Sequence, residues 1–215
     1  MGRLFDPILF DLDGTVIDST RLILESHRHA MRTVLGRQLP DATLLANVGR
    51  PLMDQMRAFS PDDADELARV FREWNLAMHD ELLAPYEGMD ALLGELRTSG
   101  RTLGIVTSKN RPTVARSFQV LPIEHHFDVV VVAEDTEIHK PDPEPLHLAL
   151  RRLGGGDARS ACYVGDAPFD IRAARAAGIP AIGVTWGFFP RGVLEDEGAD
   201  IVVDTIADLR EVLVG

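Results

Sequence analysis

Cysteine is almost missing: Cys162 is the sole one in 215 residues, so an internal disulfide is impossible and a reducing, cytoplasmic setting is expected. Long hydrophobic runs are missing too, since no stretch approaches the ~18 apolar residues of a membrane span. The first apolar run is short and broken by Asp6, Asp11 and Asp13, so no signal peptide is expected. Internal repeats and low-complexity tracts do not occur. Positive charge is in short supply: 22 Lys and Arg against 34 Asp and Glu give a net charge of −12. Such a field repels nucleic acid and anionic lipid, which excludes both as general partners and favours a small ligand. An anionic ligand would need a local positive site, either a metal ion or a few placed Lys, Arg and backbone N–H groups. What the chain does have is bulk, because 45% hydrophobic residues over this length can bury a core for one domain, or for one domain with a sizeable insertion.

Short β-rich runs alternate with helix-period runs, the pattern of a parallel sheet covered by helices. Strands are expected near Ile8–Asp11, Thr102–Thr107, Asp128–Ala133, Ala161–Gly165, Pro180–Val184 and Asp200–Val203. Helices are expected near Met89–Thr98, Pro112–Gln119, Pro145–Leu153, Pro168–Ala177 and Thr205–Leu213. From about Ser19 to Ala84 the alternation stops and only helical periods remain. Leu67, Phe71, Trp74, Met78 and Leu82 recur at three- and four-residue steps, with Ser60–Pro61 as N-cap and first helical position. An all-helical insert straight after the first strand reads as a cap over an α/β core.

Four motifs stand at predicted strand ends. Asp11–Leu12–Asp13–Gly14–Thr15 closes the first strand, where residues two apart point the same way and both carboxylates can face one cavity. Close carboxylates repel unless a cation or unequal protonation relieves them. Taken alone, Asp–x–Asp–Gly also suits a surface turn or a calcium loop, although no acidic ligands follow at EF-hand spacing. Thr107, with Ser108 and Lys109 after it, ends another strand and offers a hydroxyl to a phosphoryl oxygen or simply makes a turn. Lys140 lies in His139–Lys140–Pro141–Asp142–Pro143, where prolines restrict the loop; its charge can offset carboxylates and phosphate, or face solvent. Asp166 and Asp170 flank a strand-to-helix turn, at the edge where open α/β sheets place ligand crevices, and either can instead cap the helix.

In their order and chemistry these motifs resemble the haloacid dehalogenase-like superfamily, and the resemblance spans nearly the whole chain. Gly88, Phe127–Asp128, Glu134–Asp135, Lys140–Pro141–Asp142–Pro143 and Thr185–Trp186–Gly187 look like its phosphoglycolate phosphatase and pyrophosphatase branch. That resemblance implies an α/β fold with a Rossmann-like parallel sheet core at 1–17 and 86–215 and a helical cap at 18–85. It implies hydrolysis of a small phosphorylated metabolite, dependent on Mg2+, through a phosphoaspartate on Asp11, with Asp13 as acid and base. Thr107 and Lys140 are then expected to hold the transferring phosphoryl group. Gly14, Thr15, Ser108 and Lys109 are expected to bind substrate, and Asp11, Asp13, Asp166 and Asp170 to serve the metal, Asp13 through its main-chain carbonyl. Arg50, in Asn47–Val48–Gly49–Arg50–Pro51, resembles the cap residue that meets the leaving group, with Trp186, Lys109 and Arg111 as further candidates for the same opening. An acid at position 13 argues against dehalogenase and phosphonate-cleaving relatives. A sugar-phosphate mutase of the β-phosphoglucomutase type keeps all four motifs and stays open, as does a non-catalytic binding protein on the same fold.

Overall fold

Runs such as Leu103–Val106 and Ala181–Val184 carry no polar side chain, and strands of that kind persist only with both faces covered. The computed structural model, which describes residues 5–155 and 158–215, shows what covers them. In chain order the elements are β1 (Ile8–Phe10), β2 (Ile17–Asp18), α1 (Thr20–Leu35), α2 (Asp41–Leu45), α3 (Leu52–Phe59), α4 (Ala64–Leu82) and β3 (Ala84–Pro85). There follow α5 (Met89–Thr98), β4 (Leu103–Val106), α6 (Arg111–Val120), β5 (Val129–Val131), α7 (Glu144–Arg152) and β6 (Cys162–Gly165). The chain closes with α8 (Pro168–Ala176), β7 (Ala181–Val184), α9 (Arg191–Asp196), β8 (Ile201–Val203) and α10 (Ile206–Val214).

Six strands form one parallel sheet in the order β5-β4-β1-β6-β7-β8. Side-chain alternation distributes its residues between two cores: Ile8, Phe10, Cys162 and Val164 pack on one face, Leu9 and Tyr163 on the other. The chain runs outward from β1 through β4 to β5, returns to β6 on the opposite side of β1, and runs outward again through β7 and β8. The reversal beside β1 creates a crevice at the carboxyl ends of β1, β4 and β6.

Helices α1 to α4 pack on one another around a separate cluster that includes Met31, Leu44, Met56, Leu67 and Phe71. A two-stranded antiparallel ribbon, pairing Ile17 with Pro85 and Asp18 with Ala84, carries the chain into and out of this group. That ribbon was not anticipated, since two-residue strands leave no periodic signal. The short α9 was missed for the same reason. The start expected for α4 at Ser60–Pro61 is corrected: the helix begins at Ala64 after Asp63, and Ser60 ends α3 while its hydroxyl donates to Asp63 Oδ2 at 2.7 Å. Its buried face is also rotated, for Asn75 and His79 are buried while Trp74, Met78 and Leu82 are half-buried. Both polar residues are matched across interfaces, Asn75 Nδ2 donating to Ser26 Oγ at 3.0 Å and His79 Nε2 lying 3.1 Å from Ser117 Oγ on α6.

His27 is fully buried in the helical group, edge-on to Phe59 and Phe71, and burial pushes its pKa down to about 4 against the modest opposing effect of its Gln55 hydrogen bond. A base that binds protons more weakly folded than unfolded keeps its full stability contribution above the unfolded value of 6.5 and loses it as pH falls towards 4. At ~1.4 kcal/mol per unit the loss reaches about 3 kcal/mol, worth roughly 6–12 °C in a chain of this size. The melting temperature of the parent is therefore expected to fall more steeply between pH 6.5 and 4.5 than that of His27→Leu; parallel curves would contradict it.

Candidate active site

Each strand that borders the crevice delivers a functional side chain just past its last residue. Asp11 follows β1, Thr107 follows β4 and Asp166 follows β6, while Lys140 arrives from the loop before α7. Asp170 lies in the first turn of α8, where Oδ2 accepts from the Ala167 N–H at 3.0 Å. It is thus a helix cap and a crevice residue at once, because its other oxygen, Oδ1, accepts from Lys140 Nζ at 2.7 Å. Lys140 Nζ also donates to Asp11 Oδ1 at 2.8 Å and to the Tyr163 hydroxyl at 3.0 Å. All are deep: Asp11 is 5%, Asp166 1%, Asp170 0% and Lys140 3% exposed, so none of these charges is screened by bulk water. Oxygens of Asp11, Asp166 and Asp170 lie within 4.8 Å of one another, a spacing that can hold one metal ion.

The charges do not balance. Three carboxylates face one ammonium, and burial pushes the Asp11 pKa up to about 7, with Lys140 opposing and Asp170 adding to the rise. Asp166 is pushed well above the usual carboxylate range by burial, then by Asp170 and Asp11, although Phe188 N–H at 2.7 Å and Thr15 Oγ1 at 3.1 Å donate to it. Burial alone would lower Lys140; the neighbouring Asp11 and Asp170 charges outweigh it and hold the ammonium protonated. Such a site favours either a proton or a cation.

The other expected residues are distributed around this cluster. Asp13 is not among the clustered carboxylates: its Oδ1 accepts from Lys109 Nζ at 2.7 Å, with both side chains largely shielded. Gly14 has φ +80°, and a Cβ there would meet Asp166 Oδ2 at 2.5 Å, so only glycine lets the turn lie against that carboxylate. Thr15 is fully buried with its hydroxyl committed to Asp166. Thr107 is buried beside the crevice, its hydroxyl accepting from the Lys109 N–H at 3.2 Å. Ser108 Oγ donates across to the Gly49 carbonyl at 2.7 Å, which brings the segment bearing Arg50 to this edge of the sheet. The Arg50 guanidinium lies over the Phe169 ring at 5.8 Å from its centroid and is partly exposed. Trp186 packs on the sheet core and donates from Nε1 to the Thr15 carbonyl at 3.1 Å. Arg111 points elsewhere, to Asp135 Oδ1 at 2.6 Å.

Two neighbours of the cluster were not assigned to the site from the sequence: Tyr163, and Gly187, which entered only as part of the Thr185–Trp186–Gly187 resemblance. Tyr163 is 1% exposed and its hydroxyl donates to the Val106 carbonyl at 2.8 Å beside Lys140; a phenol inside a strand covered on both faces was the available signal, since its hydroxyl requires a partner. Gly187 leaves no room for a side chain, because a Cβ would overlap Asp166 Oδ2. No local pattern marks that contact, which joins positions 21 residues apart.

The switch-point crevice of this parallel sheet, with three buried carboxylates, one buried lysine and a rim of hydroxyls, is the ligand crevice of an α/β enzyme rather than part of a structural module. Residues 8–184 match the model of the haloacid dehalogenase-like hydrolases. The chain is 37% identical to pyrophosphatase PpaX of Bacillus velezensis over 205 residues, covering 95% of this chain and 94% of that protein. Among solved structures it is similar to a haloacid dehalogenase-like hydrolase from Streptococcus pneumoniae, with 28% identity, a TM-score of 0.82 and coverage of 95% and 96% of the two chains. It is also similar to a predicted phosphatase from Clostridium acetobutylicum, with 25% identity, a TM-score of 0.87 and coverage of 98% and 99%. The chain belongs to the haloacid dehalogenase-like hydrolase family.

Proposed function

We propose that this protein is a phosphatase for a small phosphorylated metabolite, pyrophosphate first among candidates, and that it works through a phosphoaspartate on Asp11. The observation that carries the reading is the charge arithmetic of the crevice: three buried carboxylates against Lys140 leave two negative charges over, and one divalent cation balances them. An all-oxygen donor set suits a hard ion such as magnesium. Asp11 and Asp166 would hold it with the main-chain carbonyl of Asp13, and Asp170 would support them. Bound there, magnesium would lessen the repulsion between the Asp11 carboxylate and an incoming phosphate.

The chain's own residues account for the remaining steps. An oxygen of Asp11 attacks phosphorus, forming an acyl phosphate as the bond from phosphorus to the leaving oxygen breaks. Asp13 protonates the leaving oxygen; it then takes a proton from the water that attacks the phosphoaspartate and regenerates Asp11. Acting as the acid requires Asp13 to exchange its Lys109 ion pair for a proton, which frees Lys109 to meet substrate oxygens. Thr107 and Lys140 supply donors to the transferring group, and because phosphoryl transfer passes through a loose transition state, placing these charges does most of the work. Residues 18–85 form the cap in this reading, residues 1–17 and 86–215 the core, of which 1–4 and 156–157 lie outside the described residues, and the Ile17–Asp18 and Ala84–Pro85 ribbon the hinge between them.

The test is phosphate release over a panel containing pyrophosphate, phosphoglycolate, sugar phosphates and nucleotides, with and without magnesium. Magnesium-dependent release at the full turnover rate is expected for at least one of them. Conversion of one sugar monophosphate into another with little free phosphate would assign a mutase instead. Gly187→Ala should displace the Asp166 carboxylate and raise the magnesium concentration for half-maximal rate by roughly 10- to 100-fold, the range for disturbing a group that orients a ligand. An unchanged magnesium titration would remove Asp166 from the metal site.

A further inference from the structure

The Gly49–Arg50 segment is held from two sides, and the groups on its helical side are buried, polar and unused by the reaction. On the sheet side Ser108 Oγ holds the Gly49 carbonyl, and Gly49 lies so near α8 that a Cβ would meet Ala167 Cβ at 3.0 Å. On the helical side Gln55 Nε2 donates to the Arg50 carbonyl at 2.7 Å. Gln55 Oε1 lies 3.1 Å from His27 Nε2. Exposure is 8% for Gln55 and 0% for His27, so the bond between them is shielded from water, while the bond to the Arg50 carbonyl is partly buried.

The hydrogen-bond roles are fixed at both ends. A carbonyl oxygen only accepts, so the Gln55 amide must turn its NH2 to Arg50 and its oxygen to His27, whose hydrogen therefore sits on Nε2. The other ring nitrogen, Nδ1, has no partner among the described residues. Burial keeps the imidazole neutral near pH 7, consistent with this single-donor state. An amide and an imidazole inside an apolar helical core cost stability that leucine and phenylalanine would not. What the pair reaches is the main chain of Arg50, within a segment docked on the crevice edge.

We infer that Gln55, oriented by His27, is a positioning residue that fixes the Gly49–Arg50 segment over the crevice and thereby decides which leaving groups are accepted. The preferred class is a leaving group with its own anion, such as the second phosphate of pyrophosphate, for which Arg50 would exchange its partly exposed ion pair with Asp54 Oδ2 at 3.9 Å. The inference rests on the phosphatase reading above for its catalytic half and on hydrogen-bond geometry for its positional half.

Gln55→Glu separates positioning from packing: it keeps the shape and the bond from His27, yet offers an oxygen where Arg50 requires a donor. In the 215-residue chain without substrate, hydrogen–deuterium exchange at the main-chain amides of residues 47–50 should quicken relative to the parent. With magnesium, kcat/KM for pyrophosphate should fall by ~3- to ~10-fold, the usual range for one net hydrogen bond, mainly through KM. Activity on p-nitrophenyl phosphate, whose leaving group carries no such anion, should change little. His27→Phe, which releases the amide without adding a charge, should move both readouts in the same direction by less. Unchanged exchange at 47–50 overturns the positional claim, and equal losses on both substrates overturn the claim about leaving groups. If the parent protein hydrolyses neither compound, the choice of pyrophosphate as substrate fails while the exchange result still decides the positioning.

Discussion

Asp11→Asn should fold at least as well as the parent and lose catalysis on the order of 10⁶-fold, the scale seen when a covalent nucleophile is removed. The two halves of this expectation share one cause. Burial raises the Asp11 pKa from 3.8 to about 7, which means the folded chain binds that proton more tightly than the unfolded chain does. Ionising Asp11 therefore costs stability progressively between those two values, and the whole cost is present above pH 7. The amide keeps the shape and removes the charge. At pH 8 and without metal its melting temperature should rise by a few degrees, each ~1 kcal/mol being worth roughly 2–4 °C in a chain this long. Side by side, thermal denaturation and phosphate release make the check. A variant that is both inactive and strongly destabilised would point to a structural aspartate, and substantial remaining turnover would exclude it as the nucleophile.

Lys140→Met carries the second large effect, with the opposite sign on stability. Its ammonium is the counter-charge to both Asp11 and Asp170, at 2.8 and 2.7 Å, and it is 3% exposed. Removing one member of a buried ionic cluster leaves the others unpaired, at a cost of about 3–5 kcal/mol or roughly 6–20 °C. Catalysis should fall by about 10²–10³-fold, the range for losing one preorganised electrostatic donor. The stability loss has a built-in control: adding Asp170→Asn removes one of the two stranded charges, so the double variant should regain part of the lost melting temperature and none of the lost activity. A single variant that melts with the parent would show that Lys140 is not the counter-ion of this crevice.

The sheet was legible because its signal is local. Six apolar runs of strand length, most of them followed by a helical period, define a parallel sheet without knowledge of contacts, and the structure places all six within a residue or two of where they were read. Asp11, Thr107, Lys140 and Asp166 could be singled out for a related reason: they stand immediately past strand ends or in a proline-restricted loop, and the structure gathers them at the same end of the sheet. Asp170 was read as either a cap or a crevice residue, and its two oxygens do both. The buried face of α4 was less legible, since apolar spacing favoured Trp74 and Met78, whereas Asn75 and His79 are buried through partners on α1 and α6 that no periodicity reveals. Tyr163, Gly187 and Gln55 depend on neighbours distant in the chain. The Asp13–Lys109 pair, which joins positions 96 residues apart, is of the same kind.

The central claim is covalent, and trapping the intermediate tests it most directly. The protein, turning over a radiolabelled phosphate substrate with magnesium, is quenched in acid and digested, and the labelled peptide is sequenced by mass spectrometry. The account predicts one phosphoryl group, on Asp11, released by hydroxylamine as an acyl phosphate should be, and absent from Asp11→Asn. Full turnover with no label on the chain, or a label on a histidine or serine instead, would contradict it.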